Sequence, residues 1–481
     1  MTSPSTSNTL VEPPALRQIK DLPGPRALPL VGNMLQLDRL RVHQTIERWG
    51  REYGSYFRVS LGNTKVLVVN DSAAISTVLR DRPEGFRRPA VIANVSEEMG
   101  GLPGLVAAEG VEWRNQRRLV MAAFAPHAIK AYFPSLVKVA LRMQRRWEKA
   151  ADEQADIALL PDLMRYTVDI IAGLAFGTDV NTIESEEDVI QNHLDQILPA
   201  VGRRSMAPFP YWRYFKLPVD RRLDRATAAV KAAVGDLIVK ARTRMQADPS
   251  LFERPSNLLE AMIGAADRSD SGVDDIAVAG NVVTMLIAGE DTTANSMAWL
   301  LYQLVSNPET LQRAQEEVRR LAPDTANFSL EQIDALDYLD ACVQESMRLK
   351  PVAPFMALEA LRDTSIGGIH VPTASLVWCV LRHDSVDERH FPNAAKFDPQ
   401  RWLAQGDAPS TADKRMSIPF GSGPRTCPGR YLALLEIKMA AAMLLGRFHI
   451  DSIVTPDGAE ASELMTYFMS PVGLTMRLRK G

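Results

Sequence analysis

Residues 420–430, FGSGPRTCPGR, hold the most reactive arrangement in the chain. Cys427 stands in a frame of glycines and prolines, with Arg425 two residues before it, and an apolar run of helical spacing follows from Tyr431 to Leu445. A sulfur at the start of a helix meets partial positive charge and backbone N–H groups, and both favour the thiolate. Gly421, Gly423 and Gly429 permit backbone shapes and close approaches that a Cβ would block, which suits a flat ligand lying against the loop. The implied chemistry is thiolate ligation of a metal. A lone cysteine is ordinarily an inert buried residue, so the frame carries the argument.

A second group sits inside a helix. The helical pattern from Asp275 to about Val305 would span ~45 Å at 1.5 Å per residue. It contains AGEDTT, residues 288–293. Helix interiors disfavour Gly by about 1 kcal/mol relative to Ala, so Ala288 and Gly289 read as a place where a ligand approaches the backbone. Thr292 shares their face, which runs back to Met285, Thr284 and Asn281. Asp291 lies about 100° round the helix from Thr292. A hydroxyl and a carboxylate so placed suit proton transfer through water. The threonine could equally bond its own i−4 carbonyl. Trp113 and Arg117, four apart, present indole and guanidinium donors on one helix face. Glu345 and Arg348 share another face.

Phe420, Gly423, Arg425, Cys427 and Gly429 meet the pattern F-x-x-G-x-R-x-C-x-G. In this the chain resembles the cytochrome P-450 family, and the resemblance covers roughly residues 20–480. It implies a mainly α fold with a small β portion, and haem b between a long central helix and the cysteine loop. Cys427 would be the axial thiolate ligand, with Phe420, Gly421, Gly423, Arg425 and Gly429 in the cofactor loop. Trp113 and Arg117 would donate to a haem propionate, and Ala288 and Gly289 would lie against the cofactor. Asp291 and Thr292 match the family's A-G-x-D-T oxygen-activation motif as the catalytic pair. Glu345 and Arg348 would join Arg401 of FDPQRW in a structural lock serving folding and haem retention. One departure stands out: many relatives place a propionate-binding Arg five residues before the Asp matching Asp363, and this chain has Leu358 there, beside Glu359.

The implied activity is insertion of one atom of dioxygen into an apolar substrate such as a fatty acid, terpenoid, steroid or polyketide. Val91, Ile92, Val95, Leu102, Leu105, Thr284, Met285, Val352, Ala353, Phe355, Met356, Tyr467, Phe468 and Met469 are candidate pocket residues. The chain ends soon after the cysteine region, so electrons are expected from a separate ferredoxin or flavodoxin-like donor with its reductase. Other readings are a peroxide-using or rearranging haem-thiolate enzyme, a non-catalytic haem-binding protein, or a helical interaction protein.

Composition narrows the classes. The formal net charge of −3 speaks against nucleic-acid binding. Three cysteines without a C-x-x-C pair make neither a disulfide framework nor a zinc site, and a cytoplasmic setting fits. The longest apolar stretches, such as residues 439–445, fall short of the ~20 residues of a span, so no transmembrane anchor is expected. Residues 1–20 read as a loose tail and 21–481 as one unit, expected to be monomeric. Residues 40–53 predict a helix. Residues 55–61 and 65–70 predict a hairpin, with Asp71 capping a short helix after it. Residues 84–110 read as a long loop. Residues 184–198 read as a helix closed by Pro199. The aromatic segment 203–218, with Phe209, Tyr211, Trp212, Tyr214 and Phe215, reads as a lid. Residues 466–479 read as a hairpin turning at Pro471 and Gly473.

Overall fold

Where the apolar period is two the chain builds a small sheet, and where it is 3.6 it builds helices. The computed structural model describes residues 16–481 apart from 102–103, 178, 186–190, 195, 206, 208, 269–270, 405–409 and 411. The chain begins with β1 (Arg17–Gln18), α1 (Val42–Tyr53), the hairpin β2 (Tyr56–Leu61) and β3 (Thr64–Val69), α2 (Ser72–Arg80) and β4 (Phe86–Arg87). Then come α3 (Ala90–Glu98), α4 (Gly110–Ala123), α5 (Pro126–Asp152), β5 (Ile157–Ala158) and α6 (Leu159–Phe176). The body continues with α7 (Gln191–Leu194), α8 (Ile197–Ser205), α9 (Pro218–Ala247), α10 (Leu258–Ala266), α11 (Asp275–Val305), α12 (Pro308–Leu321), α13 (Leu330–Asp334) and α14 (Asp337–Leu349). Strands β6 (Phe355–Ala360), β7 (Thr364–Ile366), β8 (Ile369–Val371) and β9 (Leu376–Val380) follow. The chain closes with α15 (Arg430–Arg447), β10 (Phe448–Val454), β11 (Glu463–Met465), β12 (Met469–Pro471) and β13 (Thr475–Lys480).

The main sheet has the order β2-β3-β9-β6-β4. β3 and β9 run parallel, and the other pairs are antiparallel. Asp71 caps α2 by accepting from the Ala74 N–H. Alternation along β6 sends Phe355 and Ala357 to the face that holds Trp378, and Met356 and Leu358 to the face that holds Leu79 and Cys379. α11 is the axis of the helical body and packs on α6, α14 and α15. From Ala294 to Leu301 every residue of it is buried, as expected for a helix enclosed on all sides.

Two buried ion clusters tie helices to strands. Glu345 accepts from Arg348 at 2.7 and 2.8 Å, Arg401 at 3.0 Å, the Asp398 N–H and the Trp402 indole. Burial pushes Glu345 up, but these donors outweigh it and its pKa is lowered. The second cluster was not anticipated. Arg382, after β9, is buried between Glu47 of α1 and Glu463 of β11, and His43 and Lys350 also bond Glu463. Its members are scattered over more than 400 residues, so no local spacing announces it.

Several sequence expectations need correction. Residues 17–20 are not loose: β1 pairs with β8, and Ile19 is buried against the sheet. Residues 1–15 lie outside the described residues. The loop 84–110 contains α3, whose weak amphipathicity hid it. Of the helix expected over 184–198, residues 186–190 and 195 lie outside the described residues; α8 does not end at Pro199, which lies in its first turn, where a missing N–H costs no helical bond. β12 and β13 are not a hairpin: β12 pairs with β11, and β13 pairs with β10 and β5.

Candidate functional site

Gly423 has φ +74°, and a Cβ there would stand 2.6 Å from the Leu79 carbonyl oxygen. The cysteine loop can therefore press onto the end of α2 only with glycine at this position. The Cys427 N–H donates to the Phe420 carbonyl at 3.0 Å, and α15 begins three residues on. The thiol is surface-accessible yet surrounded by protein, so it opens to an internal cleft. Burial pushes its pKa up, while the Gly429 N–H, Arg117 and Arg430 pull it back. The net direction is up, contrary to the expectation that the loop alone favours thiolate. A bound metal ion would supply the missing stabilisation. Cys342 and Cys379 are fully buried and also pushed up, Cys379 to about 12.

Arg425 stacks over the Trp113 ring at 4.9 Å and donates to the Ala108 carbonyl at 2.6 Å and to Glu109. Arg117, one turn beyond Trp113 on α4, is lowered by its own burial and interacts electrostatically with Cys427. These contacts bring α4 and the cysteine loop together. Phe420 packs on the core with the Arg430 guanidinium over its ring.

A cavity of about 300 Å³ borders this region, with Glu109 in its wall. α11 contributes Val283, Thr284, Ile287 and Ala288, while Ile92 and Phe468 enter from α3 and the segment before β12. Trp212 and Tyr211 pack on the cluster of α3, α8 and α9 beside it, and Phe209, Tyr214 and Phe215 are exposed. Thr292 donates its hydroxyl to the Ala288 carbonyl at 2.6 Å. Burial raises Asp291 to about 6.

Other expected contacts fall elsewhere. Val91 points outward, one helical step from Ile92, and is 46% exposed. Met285 turns into the core, one step from Thr284. Asn281 bonds the Leu105 N–H, Gln116 and the Ala277 carbonyl, so it fastens helices instead of facing a ligand. Gly289 makes room for Ile171 of α6, 3.2 Å from where its Cβ would lie. Val352, Phe355 and Met356 do not line the cavity: Val352 accepts from the Met469 N–H, Phe355 packs near Trp378 and Met356 takes the opposite sheet face. Val95 is buried in the α3 cluster, Leu105 is in the core, and Leu102 lies outside the described residues.

Arg82 and Arg88 escaped the sequence reading. Arg82 is only 3% exposed, and its Nε and Nη2 find no acceptor among the described residues; the Nε atoms of Arg88 and Arg425 are equally orphaned. Burial first, then Arg88 and Arg425, pull Arg82 down to about 9. A buried cation without an anion is costly. Three neighbouring guanidiniums, of which Arg425 alone pairs with Glu109, each with a nitrogen that finds no acceptor among the described residues, therefore fit a ligand that carries carboxylates of its own. The only sequence signal was arginine density around 80–88.

Such an arrangement, one thiol in a cleft beside an apolar cavity and a cation cluster, on a long central helix, defines a scaffold for a flat acidic metal cofactor. The family comparison agrees: the Cytochrome P450 model matches residues 22–471, and the chain belongs to that family. The family binds haem b through a cysteine thiolate. Among its relatives is a self-sufficient cytochrome P450 monooxygenase, CYP505AG1, of Oidiodendron maius, 28% identical over 96% of this chain and 42% of its own length. Two others are from Arabidopsis thaliana. The chloroplastic carotene epsilon-monooxygenase is 27% identical over 84% of this chain and 76% of its own length. The chloroplastic protein LUTEIN DEFICIENT 5 is 25% identical over 82% and 67%. The chain thus spans less than half the length of the self-sufficient relative. No helix among the described residues is long and apolar enough to cross a membrane.

Proposed function

We propose that this chain is a haem-thiolate monooxygenase. It inserts one oxygen atom of dioxygen into an apolar organic substrate and reduces the other to water. The observation that carries the reading is the shared wall: Glu109 lines the apolar cavity and binds Arg425, two residues from the cleft thiol of Cys427. Cys427 would be the metal ligand, Arg425, Trp113 and Arg117 would hold the carboxylates of the haem, and the Phe420–Gly429 loop would cradle it. Haem, when bound, supplies the iron chemistry that activates dioxygen.

The protein supplies position and protons. Ile92, Thr284, Ala288 and Phe468 exclude water and hold the substrate. Asp291, half-protonated near pH 6, carries protons inward from solvent through water. The Thr292 hydroxyl, bonded to Ala288 at rest, turns to hold the receiving water. The segment 203–218 is the lid. Residues 21–481 act as one unit in the cytoplasm, with electrons from a ferredoxin or flavodoxin-like donor and its reductase.

The test is the purified chain's reduced carbon monoxide spectrum, followed by turnover with substrate, donor and reductase. A red-shifted Soret band with donor-dependent product supports the proposal. Product with peroxide alone favours the peroxide-using alternative, and a band without any product favours a binding protein.

A further inference from the structure

Leu358 leaves a gap in the cation set expected around a haem, and a cation touches its neighbour on the same strand face. Leu358 is fully buried and shares its face of β6 with Met356. The Met356 sulfur lies 3.3 Å from Nη1 of Arg82. Arg82 follows α2, on whose last residues the cysteine loop rests through Gly423. A guanidinium from the end of α2 therefore touches the β6 face that also carries the leucine. Arg82 is not in the wall of the apolar cavity, and its Nε and Nη2 are buried without acceptors.

We propose that Arg82 is a positioning residue for the cofactor, donating Nε and Nη2 to one haem propionate in place of the cation that Leu358 cannot supply. The inference rests on the haem reading above. A planar guanidinium offers two parallel donors to a carboxylate, and Arg425 with Trp113 serves the other propionate. A substrate carboxylate is the other source of the same chemistry. The cofactor is favoured because Arg82 is absent from the wall of the apolar cavity and follows the end of α2 on which the cysteine loop rests.

The test compares wild type, Arg82→Leu and Arg82→Lys, each prepared without cofactor and titrated with haem and with haem dimethyl ester in the absence of substrate. Soret absorbance and quenching of tryptophan emission report binding. Arg82→Leu should weaken haem binding about tenfold or more, the scale of a lost charge-assisted bond, and leave ester binding unchanged. Arg82→Lys should fall between. Without cofactor, Arg82→Leu should melt higher than wild type, because a stranded buried charge is gone, and with haem it should melt lower. Equal haem affinity in wild type and Arg82→Leu overturns the proposal, as does an equal loss for haem and ester. A wild-type chain that gives no Soret band with haem overturns both this inference and the haem reading.

Discussion

Cys427, Thr292 and Asp291 make the sharpest residue-scale predictions. Cys427→Ser should keep the fold and lose the red-shifted Soret band of the reduced carbon monoxide complex; an unchanged band excludes the ligand assignment. Thr292→Ala removes a hydroxyl that at rest only satisfies the Ala288 carbonyl, so stability should change by less than about 1 kcal/mol. Peroxide release should rise relative to product, and unaltered coupling counts against the proton role. Asp291 is raised from 3.8 to about 6 by burial. A carboxyl raised on folding contributes stability that is complete below pH 3.8 and lost as pH rises through about 6. Asp291→Asn should remove that slope and stabilise the protein at neutral pH by up to roughly 3 kcal/mol. It should also abolish the inflection of product formation near pH 6. Urea unfolding and rate measurements across pH check the two halves separately.

Elements are held together by the two buried clusters. The pair Glu345–Arg348 was readable because both residues lie on one face of α14. Glu345→Gln should cost roughly 3–5 kcal/mol, because two guanidiniums lose their counter-charge. Denaturant unfolding of the holoprotein measures it, and a loss under 1 kcal/mol excludes the lock. The Arg382–Glu463 cluster joins α1 to β11 and had no sequence signature. Burial pushes Glu463 up, yet His43, Arg382 and Lys350 outweigh it and hold it far below 4.5. A depressed carboxylate contributes stability that is present above 4.5 and lost as pH falls. Glu463→Gln should therefore flatten the acid limb of the stability curve. Elements of short or broken period were the least legible. α3 lies where the sequence predicts loop, and β12 and β13, predicted as one hairpin, each have their partners elsewhere.

At the scale of the molecule, haem should raise the melting temperature of the whole chain by mass action, as any ligand of the folded state does. Calorimetry with and without haem checks this, and coincident transitions exclude a structural role for the cofactor. The family relation covers nearly the whole chain, and one long relative is a self-sufficient monooxygenase. Turnover of this chain with NADPH alone, without added donor protein, would remove the proposed partner.

Sequence alone determined what depends on local spacing. It set the span of α11, the capped α2, the β2–β3 hairpin and the glycine frame of Cys427, because helix and strand periods and backbone permissions act over a few residues. Only tertiary structure decided what depends on which side chains meet across the fold. The thiol is raised, not lowered, because burial outweighs nearby donors. Gly289 serves a helix crossing because Ile171 stands opposite it. Arg82, distant in sequence from Met356, is brought against its sulfur because the end of α2 packs under the sheet.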